Sequence, residues 1–334
     1  MLQFTKFVTI RAVLAITTLI LVSFIVFSLM ELVPGDCAER YIAFKNSQGA
    51  VITPADIQIE RVRLGLDQPY VQRWGTWIFN AFQGDFGDSC ILRVNISQLL
   101  GQKFWLSLGL CLTALILAYA IAIPVGILAA TSKNAALNNS LRLVSYLGLA
   151  LPNFLLALMI MLFSTVMFGD SLTGLFSKEF RDAAWSYEKL MDFLGHAWLP
   201  VFILGWSATA FAIQTVRALM SDEVGKLYVT AAEARGVSGS RLLMRYPARH
   251  ALSPIINSLG FDLNRIFNEL PIVALILTLT EAGSLLIEAL ARSNDQQLAG
   301  AIIFMLTAAI VSINFVTDII LALTDPRVRR SIVG

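Results

Sequence analysis

Tyr228-Val-Thr-Ala-Ala-Glu-Ala-Arg-Gly236 stands between two long apolar segments and runs on into Val237-Ser-Gly-Ser-Arg-Leu-Leu-Met-Arg-Tyr-Pro-Ala-Arg-His-Ala-Leu-Ser-Pro254. Apart from the C-terminus it is the densest basic region of the chain. Ala231, Ala232 and Ala234 favour a helix, with Val229, Thr230, Glu233 and Arg235 on its other positions. Gly236 is placed to end that helix in a left-handed turn. Two readings stand at this point: an ordinary basic loop between membrane spans, or a small-faced helix against which a partner is pressed.

The segments around it identify a membrane protein. Of 334 residues, 57% are hydrophobic and 14% charged, and the mean hydropathy is +0.71, too apolar for an ordinary soluble globule. Apolar stretches expected to cross a bilayer, which takes about 20 residues, lie at 9–33, 104–130, 143–168, 199–220, 253–280 and 298–323. Pro124, Pro152 and Pro271 fall inside three of them, which is tolerated where neighbouring helices satisfy the freed backbone groups. The expected organisation is 1–33 as N-terminus and first span, 34–100 as an extramembrane helical region, and 101–334 as a five-helix core whose connecting loop is 220–252. Within 34–100, Thr53-Pro54-Ala-Asp56 reads as a helix start and Gly65 as its end, and a second helix is expected from Asp67-Gln-Pro69 to Gly84.

Orientation is set by the basic residues of the short loops. With the N-terminus inside, thirteen fall on the cytoplasmic side (Lys6, Arg11, Lys133, Arg142, Arg217, Lys226, Arg235, Arg241, Arg245, Arg249, Arg327, Arg329, Arg330) and four outside (Lys178, Arg181, Lys189, Arg292). Both termini and loop 220–252 are therefore expected in the cytoplasm. The basic residues cluster at membrane borders and form no patch interleaved with aromatics, so no nucleic-acid partner is expected.

The loop resembles the coupling loop of ABC-importer permeases in the oligopeptide/dipeptide (peptide/nickel/opine) family, B-type subunit. Tyr228, Val229, Ala234, Gly236, Ala251, Leu252 and Pro254 match its pattern. Thr230 stands one place early, and Glu233, Arg235 and His250 replace Arg, Lys and Asn. Pro34-Gly35-Asp36, Leu64-Gly-Leu-Asp67-Gln-Pro69, Gly84-Asp-Phe-Gly87-Asp-Ser89, Leu151-Pro-Asn-Phe154 and Asp325-Pro-Arg327 are similar to further family signatures. The family's Trp-Pro-Gly-Leu-Gly segment is absent, and Thr280-Glu-Ala-Gly283-Ser stands in its place. The resemblance implies an all-α permease with six transmembrane helices of the type I importer fold in a bacterial inner membrane. It also implies a second permease subunit, two ATPases that bind ATP and Mg, and a periplasmic solute-binding protein, with Tyr228 to Gly236 as the ATPase contact. The solute that the resemblance implies is a peptide or similar small polar molecule, with nickel, opine or sugar as the alternatives.

No Gly-x-x-x-x-Gly-Lys-Ser/Thr, His-Glu-x-x-His or Gly-x-Ser-x-Gly occurs, so neither nucleotide binding by the known loop nor hydrolysis is expected of the chain, and no cofactor. A stand-alone ion-coupled transporter is the rival reading, with Asp262 and Glu269 as proton carriers. His196 reads as a structural interfacial histidine. In the span at 253–280, Ser258, Asp262, Arg265 and Glu269 fall within roughly 60° of one another, with Asn257, Asn264 and Asn268 beside them. This stripe is either an internal ion-pair ladder or, with Ser258, Asp262, Arg265, Asn268 and Glu269, part of the translocation path. Cys37 and Cys90 both lie in the outer region, where they are bridged or remain two free thiols.

Overall fold

The computed structural model describes residues 2–32, 34–49, 53–169, 172–181, 183–279, 282–293 and 295–324. Among them the chain is helical, and Asp88 and Asn95 make an isolated antiparallel bridge. The helices are α1 (Leu2–Leu32), α2 (Cys37–Ser47), α3 (Pro54–Arg63), α4 (Tyr70–Phe82), α5 (Ile96–Thr131), α6 (Ala135–Ala150) and α7 (Asn153–Phe168). They continue with α8 (Tyr187–Val224), α9 (Leu227–Ala234), α10 (Gly239–Arg245), α11 (Pro247–Ala251), α12 (Ser253–Ile276), α13 (Ala282–Ile287), a π-helical turn over Glu288–Arg292, and α14 (Gln296–Thr324). The closing Asp325-Pro-Arg327 motif, Thr280, Glu281 and the side chains of Asn257 and Arg292 lie outside the described residues.

Local chemistry sets many of the helix ends. Asp36 accepts from the Glu39 amide at 2.8 Å, Asn134 from the amides of Ala136 and Leu137, and Ser186 from that of Lys189, each satisfying free first-turn donors. The Asp56 carboxylate accepts from the Thr53 amide and hydroxyl, both at 2.8 Å, and these bonds hold it below its ordinary pKa. Past the end of α3 the chain turns at Gly65, with φ +65°.

Four described helices are long and apolar enough to cross a membrane: Phe4–Leu32, Ile96–Thr131, Tyr187–Val224 and Gln296–Leu323. The protein is a multi-pass membrane protein. The span expected at 143–168 is broken: α6 and α7 meet at 95°. Leu151, with ψ 113°, is extended, as the residue before a proline prefers. Past Pro152, the Asn153 carboxamide stitches the start of α7 to α8, donating to Leu204 O at 3.2 Å and accepting from the Ser207 amide at 3.3 Å. The span expected from Leu199 begins at Tyr187 instead, because the segment read as loop continues the helix. α12, 24 residues and about 36 Å long, reaches across a bilayer in length but carries Asp262, Arg265 and Glu269.

The chain forms two compact units that cut across the linear division. One is built on Leu108–Leu279 with the chain's end segments, the other on Ile10–Ser107 and Thr280–Ser312. In the second, a disulfide joins Cys37 to Cys90 with Cα atoms 5.4 Å apart. Arg73 holds Glu31 through two bonds of 2.8 and 2.6 Å, and Trp77 packs between Phe27 and Phe304. Buried Asp295 accepts from Ser89 Oγ, the Ile91 amide and the Leu298 amide. In the first unit, small residues bring helices into contact, as expected where packing rather than the hydrophobic effect joins them. A Cβ at Gly126 of α5 would fall 2.6 Å from Val216 Cβ of α8, and one at Gly260 of α12 would fall 1.5 Å from Asn314 Oδ1 of α14.

Candidate functional site

The residues singled out in the sequence fall on two features of the first unit: the connection between α8 and α12, and the polar residues of α12. The connection is a small folded body. α9 ends at Ala234, and Gly236 turns the chain at φ +87°, as its sequence position leads one to expect. Val229, Ala232 and Leu242 form its core, with Tyr228, Val237 and Tyr246 packed around them. The Tyr228 hydroxyl donates to Glu223 at the end of α8, and its ring meets His250 at 5.3 Å. Burial, and then the Glu223 carboxylate, push the Tyr228 phenol up to about 12.

This core corrects the expectation that every residue of 228–236 meets a partner. Val229 and Ala232 are buried, so they hold α9 to α10. Leu227, Thr230, Ala231 and Ala234 are exposed, three or four residues apart, and therefore share one outward face. Leu227, 88% exposed, was not singled out in the sequence, because it precedes the matching pattern. Glu233, Arg235 and Gly236 are also exposed.

Along α12 the structure separates residues that the helical wheel had grouped. Phe261, Asn264, Asn268, Ile272 and Leu275 are exposed and, at about 100° per residue, lie within an arc of about 80°. Arg265, Ser258 and Glu269 border that arc, and Asp262 lies furthest from its centre. Asp262, expected on the path, is accordingly turned inward with a side chain 1% exposed. There it accepts from the Tyr119 hydroxyl of α5, whose oxygen is also 3.0 Å from Ser258 Oγ. Arg265 Nη2 is 3.7 Å from Asp262 Oδ1, and its guanidinium lies over the Phe211 ring of α8 at 5.0 Å. The Asn153 side chain reaches Glu269. Each charged residue of α12 thus engages a different neighbouring helix. No Arg265–Glu269 ion pair occurs among the described residues, so the expected ladder has at most its Asp262–Arg265 rung. Tyr119, Asn153 and Phe211 were missed as partners; only the Leu151-Pro-Asn-Phe154 motif had signalled Asn153.

His196, with Nδ1 2.7 Å from the Asp192 carbonyl and 3.6 Å from its carboxylate, is tied within its own helix. No cluster of three or more potential metal ligands occurs among the described residues.

The described helices thus include several long and apolar enough to cross a membrane, with an α8–α12 connection that has its own core and an exposed outer face. The family described as the binding-protein-dependent transport system inner membrane component matches residues 122–330, and its N-terminal companion matches residues 1–93. The chain belongs to this family and is the permease subunit of an importer. It is similar to a putative peptide transport system permease protein of Brucella abortus, 29% identical over 324 residues, 96% of this chain and 97% of the relative. It is also similar to the oligopeptide transport system permease protein AppB of Bacillus subtilis, 28% identical, covering 95% and 97%. The glutathione transport system permease protein GsiC of Escherichia coli is 27% identical, covering 94% and 95%. Among solved structures, a chain of the MetNI methionine ABC transporter in an inward-facing conformation superposes with a TM-score of 0.55 at 16% identity, covering 68% of this chain and 97% of that chain.

Proposed function

We infer that this chain forms half of the translocation path of an ATP-driven importer for a peptide or similar small polar solute. A second permease of like fold completes the path, a solute-binding protein delivers the solute, and two ATPase subunits bind ATP and Mg. The outward face of α9 is the observation that carries this reading. A short helix held rigid by its own core, between two spans, transmits a push only if something docks on it. Leu227, Thr230, Ala231 and Ala234 offer that contact, with Glu233 and Arg235 at its edge. The names of the similar permeases support peptide as the solute. Both termini and the α8–α12 connection then face the cytoplasm of a bacterium and the Cys37–Cys90 bridge faces the oxidising outer side, in accord with the basic-residue bias. The accessible side of α12, with Arg265, Asn268 and Glu269, lines the path.

The test is Gly236→Trp. At φ +87° a side chain strains the backbone by about 1–2 kcal/mol and adds bulk beside the docking face. Transport falls while ATP hydrolysis by the purified complex becomes independent of solute. Unchanged transport together with normal assembly would refute the docking role.

A further inference from the structure

The polar groups of α12 do not close among themselves. Arg265 Nε and Nη2 are shielded from solvent yet have no hydrogen-bond partner among the described residues, and the same holds for Asp262 Oδ1 and Glu269 Oε2. The 3.7 Å between Arg265 Nη2 and Asp262 Oδ1 is too long for a hydrogen bond. Buried polar atoms are nearly always paired, and those that are not call for an explanation. An ion pair with Asp262 alone explains little: it engages one nitrogen at long range, and Asp262 already takes the Tyr119 hydroxyl. The Phe211 ring meanwhile holds the guanidinium at 5.0 Å, which positions the group without using its N–H donors. The Arg265 side chain keeps 26% of its surface accessible. It borders the exposed face on which Asn268 donates to Asn264 at 3.5 Å.

Resting on the reading of this face as part of the path, we propose that Arg265 and Glu269 form an intramembrane binding point for a zwitterionic solute of dipeptide size. In a state of the path that uncovers Nε and Nη2, the planar guanidinium takes the carboxylate through these paired donors, a match that a lysine does not reproduce. Glu269 takes the ammonium group. Four residues of helix separate the two by about 6 Å along the axis, and an extended dipeptide spans about 7 Å. Asn264 and Asn268 lie alongside with donors and acceptors for the peptide group between. Opposite charges at this spacing favour a solute that carries both over one that carries either alone.

The experiment uses the whole importer, with its own ATPases and binding protein, in cells carrying wild-type, Arg265→Gln, Arg265→Lys or Glu269→Gln permease. Uptake of dialanine, dialanine amide and N-acetyl-dialanine is measured in each. The binding protein is the same in every strain, so its own preference cancels when the loss for one probe is divided by the loss for another. Arg265→Gln is expected to lower dialanine uptake about tenfold, as loss of one charge-assisted contact implies, while the amide loses far less. Glu269→Gln is expected to spare the N-acetyl derivative in the same way. Arg265→Lys keeps the charge beside Asp262 and Phe211, so it decides the matter if Arg265→Gln fails to assemble: dialanine uptake falls and amide uptake does not. Equal losses for all three probes, dialanine uptake by Arg265→Lys at the wild-type rate, or a wild-type importer that does not take up dialanine would each overturn the proposal. The permease reading falls separately, if the wild-type chain neither assembles with an ATPase nor supports ATP-dependent uptake of any solute.

Discussion

Gly126→Ala puts a methyl group between α5 and α8 where there is no room for one. The new Cβ falls 2.6 Å from Val216 Cβ, 2.7 Å from its Cγ1 and 3.1 Å from the Ile213 carbonyl oxygen, against an ordinary carbon contact of about 3.5–4.0 Å. Val216 Cβ is fixed by its backbone and the Ile213 oxygen belongs to the backbone, so no rotamer change relieves the overlap. The helices must part by about 1 Å, and overpacking of this kind costs about 1–3 kcal/mol. Replacing a mid-helix glycine returns about 0.5–1 kcal/mol, which leaves a net loss of about 0.5–2 kcal/mol. Gly260→Ala makes the closer approach, at 1.5 Å from Asn314 Oδ1, yet that atom ends a side chain that can rotate away. Its net effect is expected near zero. The assay is the thermal midpoint of the detergent-purified complex, with Gly126→Ala, Gly260→Ala, Val216→Gly and the double variant Gly126→Ala/Val216→Gly side by side. The double variant removes the clashing Cβ, so its loss is expected to fall short of the separate Gly126→Ala and Val216→Gly losses added together. A Gly126→Ala complex as stable as wild type, or one less affected than Gly260→Ala, would refute the claim that backbone contact sets the cost.

Tyr119→Phe removes the hydroxyl that reaches Asp262 and leaves a buried acceptor short of a donor, a loss of about 1–3 kcal/mol; an unchanged thermal midpoint would show that the α5–α12 link contributes nothing. Ala231→Trp and Ala232→Trp separate the two faces of α9. The exposed position is expected to lower solute-dependent ATP hydrolysis while the isolated permease keeps its stability, whereas the buried one, 0% exposed, destabilises the connection by about 1–3 kcal/mol or more. Identical behaviour of the pair in both measurements would mean that α9 does not present the face described.

Features governed by nearest neighbours in the chain were legible in the sequence. Helix ends at Thr53, Gly65 and Gly236 reflect capping chemistry and the permissive glycine backbone, and Gly236 does adopt φ +87°. The length of apolar segments located the four described helices long and apolar enough to cross a membrane, because a bilayer sets a length that residues can be counted against. The matched motifs led to the permease fold. Three things were decided only by the tertiary structure. The break at Pro152 depends on Asn153 finding Leu204 and Ser207 on α8, whereas Pro124, Pro200 and Pro271 stay inside their helices. Whether a proline bends a span or ends it thus rests on what its neighbours offer. The rotation of α12 about its axis buried Asp262 while leaving Asn264 and Asn268 exposed. A helical wheel records angles between residues but not which of them faces a neighbour, and the choice came from Tyr119, more than a hundred residues away in the chain. Ala232 and Ala231 are chemically identical and adjacent, and only the packing of Leu242 against α9 turns one inward and leaves the other outside. Sequence determines the periodicity of a helix; contacts between helices determine its phase.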